Sequence, residues 1–557
     1  MSIDMVDFAA LPLIGADTEY TYVDRLIGQS TYFTSIPTKV FSIFTMVQSF
    51  IEDKLNKSQE RRQTRMTTEQ STTFGFNKLI ISTATCGKML ALKAETGELV
   101  WERYLPGLES VHVLRSTMKI GKNPMMIALR TTGGNNDETE MIEIDASDGS
   151  IQRQQQQGSK TKVRHTLVVP ITDAAAASAA AASDAGSSDE DDHYLVTIDM
   201  NDQVDYYPKN KRTKRSFEKR HRSLYFRTYD ADTNSLVGYG MASKTTASIR
   251  WTLALPEGSI FAGISSISKH ESVALPAHQQ GNDGLLIKYL NPHVVIVAAL
   301  HVEENLLSVY MLDTITGHIV RQYKHRDASL PIHVDRSENW AFVTYYNVEG
   351  RRTEISSISM YEGEIEPDEL NPWSKTPLTL QDDHHNDVGT LFSSFTAQDP
   401  VVLQKTFVFP SGIKTMVTTQ SKRGITNKHL VIGLVSNQML LLDRRMLDPR
   451  RPIDAPSLDD KKEGLFQYSP IVQYNTGGIV TYTKSIPRLR DIYTVPVELE
   501  STSLLLGVGL DFFYVRSQPA RGFDLIPSDF SYAQLMLICG GLMVAVMYAS
   551  SAVKAKN

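Results

Sequence analysis

The chain has 557 residues, with 57 basic and 63 acidic side chains and a net charge of −6. Its hydrophobic fraction of 41% and charged fraction of 22% exclude a fibrous, collagen-like or wholly disordered chain. The mildly acidic balance gives no support for nucleic acid as the main partner, and two cysteines, Cys86 and Cys539, allow no disulfide framework.

The N-terminal segment, residues 1–35, predicts no regular element. It begins MSIDMVDFAALPLIG, with Asp4 and Asp7 where a secretory signal needs basic residues, and Pro12 breaks the apolar stretch. We therefore predict an irregular segment without a signal peptide.

Residues 36–65 predict an amphipathic helix followed by a linker. Apolar residues recur at intervals of three and four, and Pro37 suits the first turn. These apolar residues are Val40, Ile43, Phe44, Val47, Phe50, Ile51 and Leu55. Such a helix either packs on the core or lies on a membrane surface with its aromatic side down. Asn56 begins a glycosylation sequon, which is usable if the body of the protein is lumenal.

From residue 72 to residue 410 the period of the apolar residues changes to two, which predicts short strands. In three places a strand enters a polar tight turn and a second strand leaves it, and these turns contain Gly97, Gly149 and Gly317. Residues 229–238 form a weaker copy, in which Asn234 replaces the glycine. Units of this kind, repeating about every 40 to 50 residues, predict an all-β fold: a quinoprotein- or WD-like β-propeller, with a β-sandwich as the alternative.

Two insertions interrupt these repeats, and both predict disorder. Residues 173–193 run from an alanine tract into acidic residues, a composition that cannot bury a core. Residues 208–222 contain the basic run KNKRTKRSFEKRHR, which resembles a nuclear signal or a nucleic-acid patch. A single basic run in an acidic chain is more typical of a solvated loop.

The motifs of common enzyme classes are absent from the sequence. It has no Gly-x-Ser-x-Gly elbow, no His-Glu-x-x-His motif and no complete phosphate- or dinucleotide-binding loop. Asp230 and Asp232 begin like a calcium loop, but Ser235 replaces the turn glycine. The Asp and His cluster at residues 382–387 is interpreted as a hydrated loop. We expect a non-enzyme with no catalytic, cofactor-binding or metal-binding residues.

Residues 530–553 predict one C-terminal transmembrane helix. The stretch from residue 535 to residue 549 has no charge, and about 20 apolar residues suffice to cross a hydrocarbon core about 30 Å thick. Small residues that would let another helix approach recur at every fourth position: Gly541, Ala545 and Ala549.

The orientation of this helix has two interpretations. Lys554 and Lys556, in the short tail of residues 554–557, favour a cytosolic C-terminus with the body across the membrane. The lack of a signal peptide favours a tail anchor with a cytosolic body.

The last third of the chain carries the most distinctive motifs. They are GITNKHL at residues 424–430, LDRRMLDPRRP at 442–452, YSP at 468–470, IPRLRDIYTVPVELESTSLLLGVGLDFFY at 486–514, and FDLIPSDFSYAQL at 523–535. This ordered series resembles the ER membrane protein complex subunit 1 family, so residues 411–525 are identified as its C-terminal domain, completing the propeller. The four arginines within residues 442–452 predict a rigid crossing between strands, held by ion pairs or offered to an acidic partner.

This resemblance implies a single-pass type I protein of the endoplasmic reticulum membrane, with a lumenal body and a cytosolic C-terminus. It implies a scaffold subunit that supports energy-independent insertion of tail-anchored and multi-pass clients. The implied partners are the other subunits of the complex, the ER lipid bilayer and client transmembrane proteins, with no cofactor. It also implies that residues 37–55 lie at the lumenal membrane surface. Family members begin with a signal peptide and a further propeller, so we expect a truncated N-terminus.

Two other interpretations stay open. The first is a membrane-anchored quinoprotein dehydrogenase, because TGELVW at residues 96–101 resembles the tryptophan-docking repeat of that family. Its calcium-bound quinone and adjacent-cysteine disulfide have no counterpart in the sequence. The second is a cytosolic propeller scaffold on a tail anchor.

Overall fold

The computed structural model of the chain describes residues 3–9, 75–116, 123–132, 138–156, 162–171, 192–268, 271–365 and 399–518, together with residues 540 and 542. In this part of the chain, thirty β-strands form eight antiparallel sheets, which confirms the all-β prediction.

Sheets 1 and 2 have four strands each. Sheet 1 contains β1 (Ile3–Ala9), β2 (Leu79–Ala84), β3 (Lys88–Lys93) and β4 (Leu99–Tyr104). Sheet 2 contains β5 (Leu108–Arg115), β6 (Met125–Thr132), β7 (Glu138–Asp145) and β8 (Ile151–Gln156).

Sheets 3 and 4 have three strands each. Sheet 3 contains β9 (Val163–Pro170), β10 (His193–Asp199) and β11 (Val204–Tyr207). Sheet 4 contains β12 (Tyr225–Asp230), β13 (Ser235–Met241) and β14 (Ala247–Ala254). Between them lie helix α1 (Lys211–Arg220) and a 3-10 turn (His221–Ser223).

Sheets 5 and 6 are joined by an inserted hairpin. Sheet 5 contains β15 (Ser259–Ser265), β18 (Val294–His301), β19 (Leu306–Asp313) and β20 (Ile319–His325). Sheet 6 contains β21 (Ala328–Ser337), β22 (Trp340–Asn347), β23 (Arg352–Ile365) and β24 (Val401–Phe409). The hairpin of β16 (Ala277–Gln279) and β17 (Leu285–Lys288) pairs with the end of β23.

Sheets 7 and 8 have three strands each. Sheet 7 contains β25 (Ile413–Thr418), β26 (His429–Leu434) and β27 (Met439–Asp443). Sheet 8 contains β28 (Asp491–Pro496), β29 (Ser503–Val508) and β30 (Phe512–Ser517). The long connection between them holds two 3-10 turns (Arg444–Leu447 and Thr476–Gly478) and helix α2 (Leu458–Glu463).

Each sheet packs its two faces against two neighbours, and β18 shows how the sequence encodes this. In VVIVAALH, Val295 and Val297 join the core shared with sheet 4, while Ile296 and Ala298 join the core shared with sheet 6. Both faces are buried, so the strand is a continuous apolar run rather than an alternating one.

The same sharing of cores continues around the molecule until the ring closes. Successive sheets are joined by hydrophobic clusters from sheet 1 through sheet 8. Finally, Leu506 and Val508 of sheet 8 pack with Ile80 and Ala94 of sheet 1. The fold is therefore a closed β-propeller of eight sheets, as the repeating strand pattern predicts.

Two tryptophans fasten neighbouring sheets together. The indole N–H of Trp101, on β4, donates to the Ala146 carbonyl at 3.0 Å, and a Cβ on Gly149 would lie 2.7 Å from the indole ring. Trp251, on β14, donates to the Thr314 carbonyl at 2.9 Å and packs in the same way on Gly317. Both glycines have positive φ, so these turns need glycine for backbone conformation and for space. The repeat that resembles a quinoprotein thus has a packing role here.

Two sequence predictions are wrong. Residues 3–9, within the segment predicted as irregular, form β1 and pair with β2. Their apolar and acidic residues partly alternate, which is a strand pattern. Residues 211–220, predicted as a disordered insertion, form α1. The Asn210 side chain accepts a hydrogen bond from the Thr213 N–H, and Phe217 is buried against Tyr206.

Several other predictions fall on residues outside the described part of the chain. These are the helix and linker of residues 36–65, the transmembrane helix of residues 530–553 apart from residues 540 and 542, most of the acidic insertion, and the residue 382–387 cluster. Among the described residues, no helix combines the length and the apolar character that a membrane span requires.

Candidate interaction surface

Four loops from sheets 5 to 8 meet on one face of the ring, and four of the five distinctive sequence motifs overlap them. We call them the interlocked loops: residues 271–293, 419–428, 444–470 and 497–502. They follow the ends of β15, β25, β27 and β28. Polar and charged contacts, rather than a shared apolar core, join each loop to the next.

Glu500 holds the GITN part of the GITNKHL motif. Its carboxylate accepts hydrogen bonds from the backbone N–H groups of Arg423 (2.8 Å), Ile425 (2.7 Å) and Thr426 (3.2 Å). Burial opposes the charged form, but the hydrogen bond from Ser421 and those from the backbone keep the pKa of Glu500 below its ordinary value. This carboxylate therefore shapes residues 423–426 from across the boundary between sheets 7 and 8.

Lys428, in the same motif, lies at the centre of a buried charge cluster. Its side chain is 2% exposed, and its ammonium group pairs with Glu271 and, at 3.3 Å, with Glu338. Glu271 also accepts hydrogen bonds at 2.7 Å from the Ser337 hydroxyl and from the Glu338 N–H. Lys428 thus joins a loop of sheet 5, a turn of sheet 6 and a loop of sheet 7 at one point.

Glu338 is the most heavily paired acid of this cluster. Lys288 lies 3.0 Å and Arg444 3.4 Å from its carboxylate, and Arg444 stacks over the Trp340 ring at 4.7 Å. Burial alone would raise the pKa of Glu338, but Arg444, Lys428 and Lys288 lower it to about 2. The carboxylate is therefore charged throughout the physiological range.

The low pKa of Glu338 predicts how stability changes with pH. The folded value of about 2 lies below the ordinary 4.5, so these ion pairs stabilise the fold fully above pH 4.5 and stop doing so as the pH falls toward 2. We expect the Glu338→Gln variant to be less stable by about 3 kcal/mol at about pH 6, with a gap that narrows at about pH 3. Urea midpoints of both proteins measure the gap, and an equal gap at every pH would contradict the assignment.

Arg450 and Arg451 build the predicted charged crossing between strands. Arg450 pairs with Glu463 at 2.7 Å and with Asp448 at 3.3 Å. The Arg451 guanidinium donates to the backbone carbonyls of Met446, Phe466 and Gln467. The structure supports the ion-pair alternative over the acidic-partner alternative, because the Arg450 and Arg451 guanidinium groups are both bound by carboxylates or carbonyls of this chain.

The inserted hairpin is tied to α2 by a second set of polar contacts. The Gly281 N–H donates to Glu463 at 2.9 Å, and Lys462 donates to the Gly281 carbonyl at 3.0 Å. His278 lies 3.3 Å from Glu463, and burial together with the nearby Arg450 keeps the pKa of this imidazole below its ordinary value. A Cβ at Gly281 would lie 2.1 Å from the Asp459 carbonyl oxygen, so the hairpin and the helix touch backbone to backbone.

Together these contacts make a stiff surface. Its buried charges form ion pairs across loop boundaries, and in the described part of the chain no His, Cys, Asp and Glu group has metal-binding spacing. Sequence reasoning found Lys428 and the arginines through their motifs. It missed Glu271, Glu338 and Lys288, which belong to no motif and meet their partners only in the folded ring.

The site residues predicted from sequence are outside the part of the chain that the structure describes. The helix-packing positions Gly541, Ala545 and Ala549 and the sequon residue Asn56 fall outside the described residues. The membrane-surface positions also fall outside them: Val40, Ile43, Phe44, Val47, Phe50 and Ile51. Their roles stay predictions.

Comparison with known proteins agrees with the motifs. The family described as "ER membrane protein complex subunit 1, second beta-propeller" matches residues 75–520, which hold seven of the eight sheets entire and all but β1 of sheet 1. Proteins named ER membrane protein complex subunit 1 are similar to the chain: the Gallus gallus protein is 28% identical over 98% of this chain, and the Xenopus laevis protein 26% over 96%. The Schizosaccharomyces pombe protein is 29% identical over 59% of this chain.

The chain spans about half the length of the first two relatives, 53% of the Gallus gallus protein and 52% of the Xenopus laevis protein. Among solved structures, the WD40 domain of SCAP from fission yeast is matched over 82% of this chain and 85% of that domain, at 9% identity and a TM-score of 0.28. The family match over residues 75–520 covers most of the chain. The chain belongs to the ER membrane protein complex subunit 1 family.

Proposed function

We propose that the chain is a scaffold subunit of the ER membrane protein complex, and that it supports energy-independent insertion of tail-anchored and multi-pass clients. The observation that carries this proposal is the closed ring with interlocked loops on one face. A ring stiffened by buried ion pairs holds several partner surfaces at fixed positions, which a scaffold requires. The use of its buried charges in structural pairs supports a non-catalytic role.

The connections of the ring support a membrane-facing side. β1 ends at Ala9 and β2 begins at Leu79, so the chain leaves and re-enters the ring at the same end of these two strands. At this end Gly75 lies against Glu498, which belongs to the interlocked loops. β30 ends on the same face, where Arg516 stacks on Phe76 at 4.1 Å. The predicted membrane-surface helix and the predicted span belong to segments attached here. We infer that this face of the ring is turned toward the bilayer.

The proposed topology is single-pass type I, with the ring in the ER lumen and the C-terminus in the cytosol. Protease treatment of sealed microsomes then degrades a C-terminal tag and spares the ring. Glycosidase-sensitive modification that disappears in an Asn56→Gln variant would give independent support. Degradation of the ring in sealed microsomes would favour the cytosolic, tail-anchored alternative.

Assembly of the complex tests the scaffold role. We expect a Gly541→Leu/Ala545→Leu variant and a Phe44→Glu/Phe50→Glu variant to reduce the complex recovered on native gels severalfold, because the first blocks close helix packing and the second places charge on an apolar helix face. Gly540→Leu and Ser42→Glu, at neighbouring positions on other helix faces, serve as matched controls. Insertion of a tail-anchored reporter should fall in parallel with the complex.

Two results would contradict this proposal. If both double variants assembled as well as the unchanged chain, neither predicted helix would contribute to the complex. If the complex assembled normally but insertion of the reporter did not depend on the presence of this chain, a scaffold role in insertion would be wrong.

A further inference from the structure

Helix α1 carries a row of cations on its exposed side. At 3.6 residues per turn the row occupies one side of the helix, continued into the 3-10 turn, and its members are Lys211, Lys214, Arg215, Lys219 and Arg222. Thr213, Ser216 and Phe217 lie on the opposite side and are buried. The basic run is thus an ordered amphipathic helix whose polar side is almost purely cationic.

These five cations have no partner among the described residues, although other charges of α1 do. Glu218, the one acid of the helix, lies on the same side one turn from Lys214, and it pairs with Lys244 of the next sheet at 3.2 Å. Arg212 pairs with Asp192 at 3.1 Å, and Asp192 also pairs with Arg115 of sheet 2. Within the described ranges, no ion pair or hydrogen bond engages the side chains of the row. In that part of the structure the row presents five cations without a counter-charge, on a chain whose net charge is −6.

The row is held rigidly in place. The Asn210 cap fixes the start of α1, and Phe217 packs between Tyr206, stacked at 4.7 Å between ring centroids, and Tyr194, edge-on at 6.5 Å. From residue 211 to residue 222 the row extends about 16 Å along the helix axis. Because the propeller sets the spacing of these cations, a ligand does not have to order them on binding.

The surroundings of the row distinguish among possible anionic ligands. Helices that lie in a bilayer surface expose large apolar side chains for insertion, whereas the aromatic residue of α1 is turned into the protein. Single-stranded nucleic acids are bound with exposed aromatic rings, which the exposed side of α1 lacks. A narrow row of point charges fits an extended chain of carboxylates, and Asp192 shows a carboxylate already bound at the first turn of α1.

We propose that α1 is a docking site for an extended acidic segment of a partner protein. This inference goes beyond the proposed function and does not rest on it, because it requires only the ordered helix and its unpaired cations. The affinity should fall steeply with ionic strength, since exposed charge pairs are screened by salt.

Fluorescence anisotropy with a fluorescein-labelled decaglutamate peptide tests the site on the full chain in an uncharged detergent. We expect binding at about 50 mM NaCl that weakens at about 200 mM. A Lys214→Ala/Arg215→Ala/Lys219→Ala variant should bind about tenfold more weakly, at about 0.5 kcal/mol for each exposed pair. Alanine preserves the helix, so an unchanged urea midpoint should accompany the loss.

A matched variant separates the site from net charge. Lys324→Ala/Arg351→Ala/Lys484→Ala removes three exposed cations on sheets 5 and 6 and on the connection before sheet 8, and it changes the net charge equally. Its affinity should stay within about twofold of the unchanged chain. Equal losses in the two variants, or none in the α1 variant, would overturn the proposal. Tighter α1-dependent binding to phosphatidylserine vesicles or to a DNA oligonucleotide would also overturn it, since the occupant would then be a membrane or a nucleic acid.

Discussion

A Lys428→Met variant should lose about 3–5 kcal/mol of folding free energy, among the largest effects of any single substitution in the ring. Methionine fills a similar volume but leaves Glu271 without its buried cation and removes one of the three cations around Glu338. Urea unfolding followed by tryptophan fluorescence reports the loss directly, because Trp340 stacks on Arg444 at the edge of this cluster.

Two comparisons assign the effect of Lys428 to its buried charge. Lys324→Met, at an exposed position on sheet 5, should leave the urea midpoint nearly unchanged. Lys428→Met combined with Glu271→Gln should be more stable than Lys428→Met alone, because the unpaired carboxylate is then gone. If Lys428→Met and Lys324→Met had the same midpoint, the buried cluster would not stabilise the ring.

Replacing Trp101 by alanine should cost about 3–5 kcal/mol, since it empties the space between sheets 1 and 2. Trp101 is 7% exposed, its indole packs on Gly149, and its indole N–H donates to the Ala146 carbonyl. We expect the urea midpoint of the Trp101→Ala variant to fall strongly. Because the sheets form a closed ring, loosening the boundary between sheets 1 and 2 should also raise amide hydrogen exchange in both of them.

Tyr104 is the natural control for Trp101. It lies on the same strand with 66% of its surface exposed, so Tyr104→Ala should change stability by less than about 0.5 kcal/mol. Trp101→Phe should fall between the two alanine variants, because it keeps an aromatic ring and loses the indole hydrogen bond. Indistinguishable urea midpoints for Trp101→Ala and Tyr104→Ala would refute the role of Trp101 in packing sheet 1 against sheet 2.

The repeating part of the fold could be predicted from sequence because its determinants are local. The turn residues Gly97, Gly149, Gly317 and Asn234 take positive φ at the predicted places, and strands flank each of them. A turn of this kind is specified by a few consecutive residues, so one sequence suffices to recognise it.

The interlocked loops could not be predicted, because their contacts join distant parts of the chain. Glu271 and Lys428 are separated by 157 positions, and neither residue type reveals which of many opposite charges it will meet. Helix α1 was missed for a different reason. Composition dominated the interpretation of its basic run, whereas Asn210 and the single aromatic Phe217 decide its structure.

The closure of the ring also sets the timing of folding during synthesis. Arg516 pairs with Glu95 across 421 positions, and among the described residues the apolar face of sheet 1 that contains Ile80 is covered by sheet 8. At translation rates of about 5–20 residues per second, this face waits about 20–80 s for its partner. A ribosome that stalls before residue 503 therefore releases an open arc of sheets whose terminal apolar face is uncovered, a species prone to aggregate.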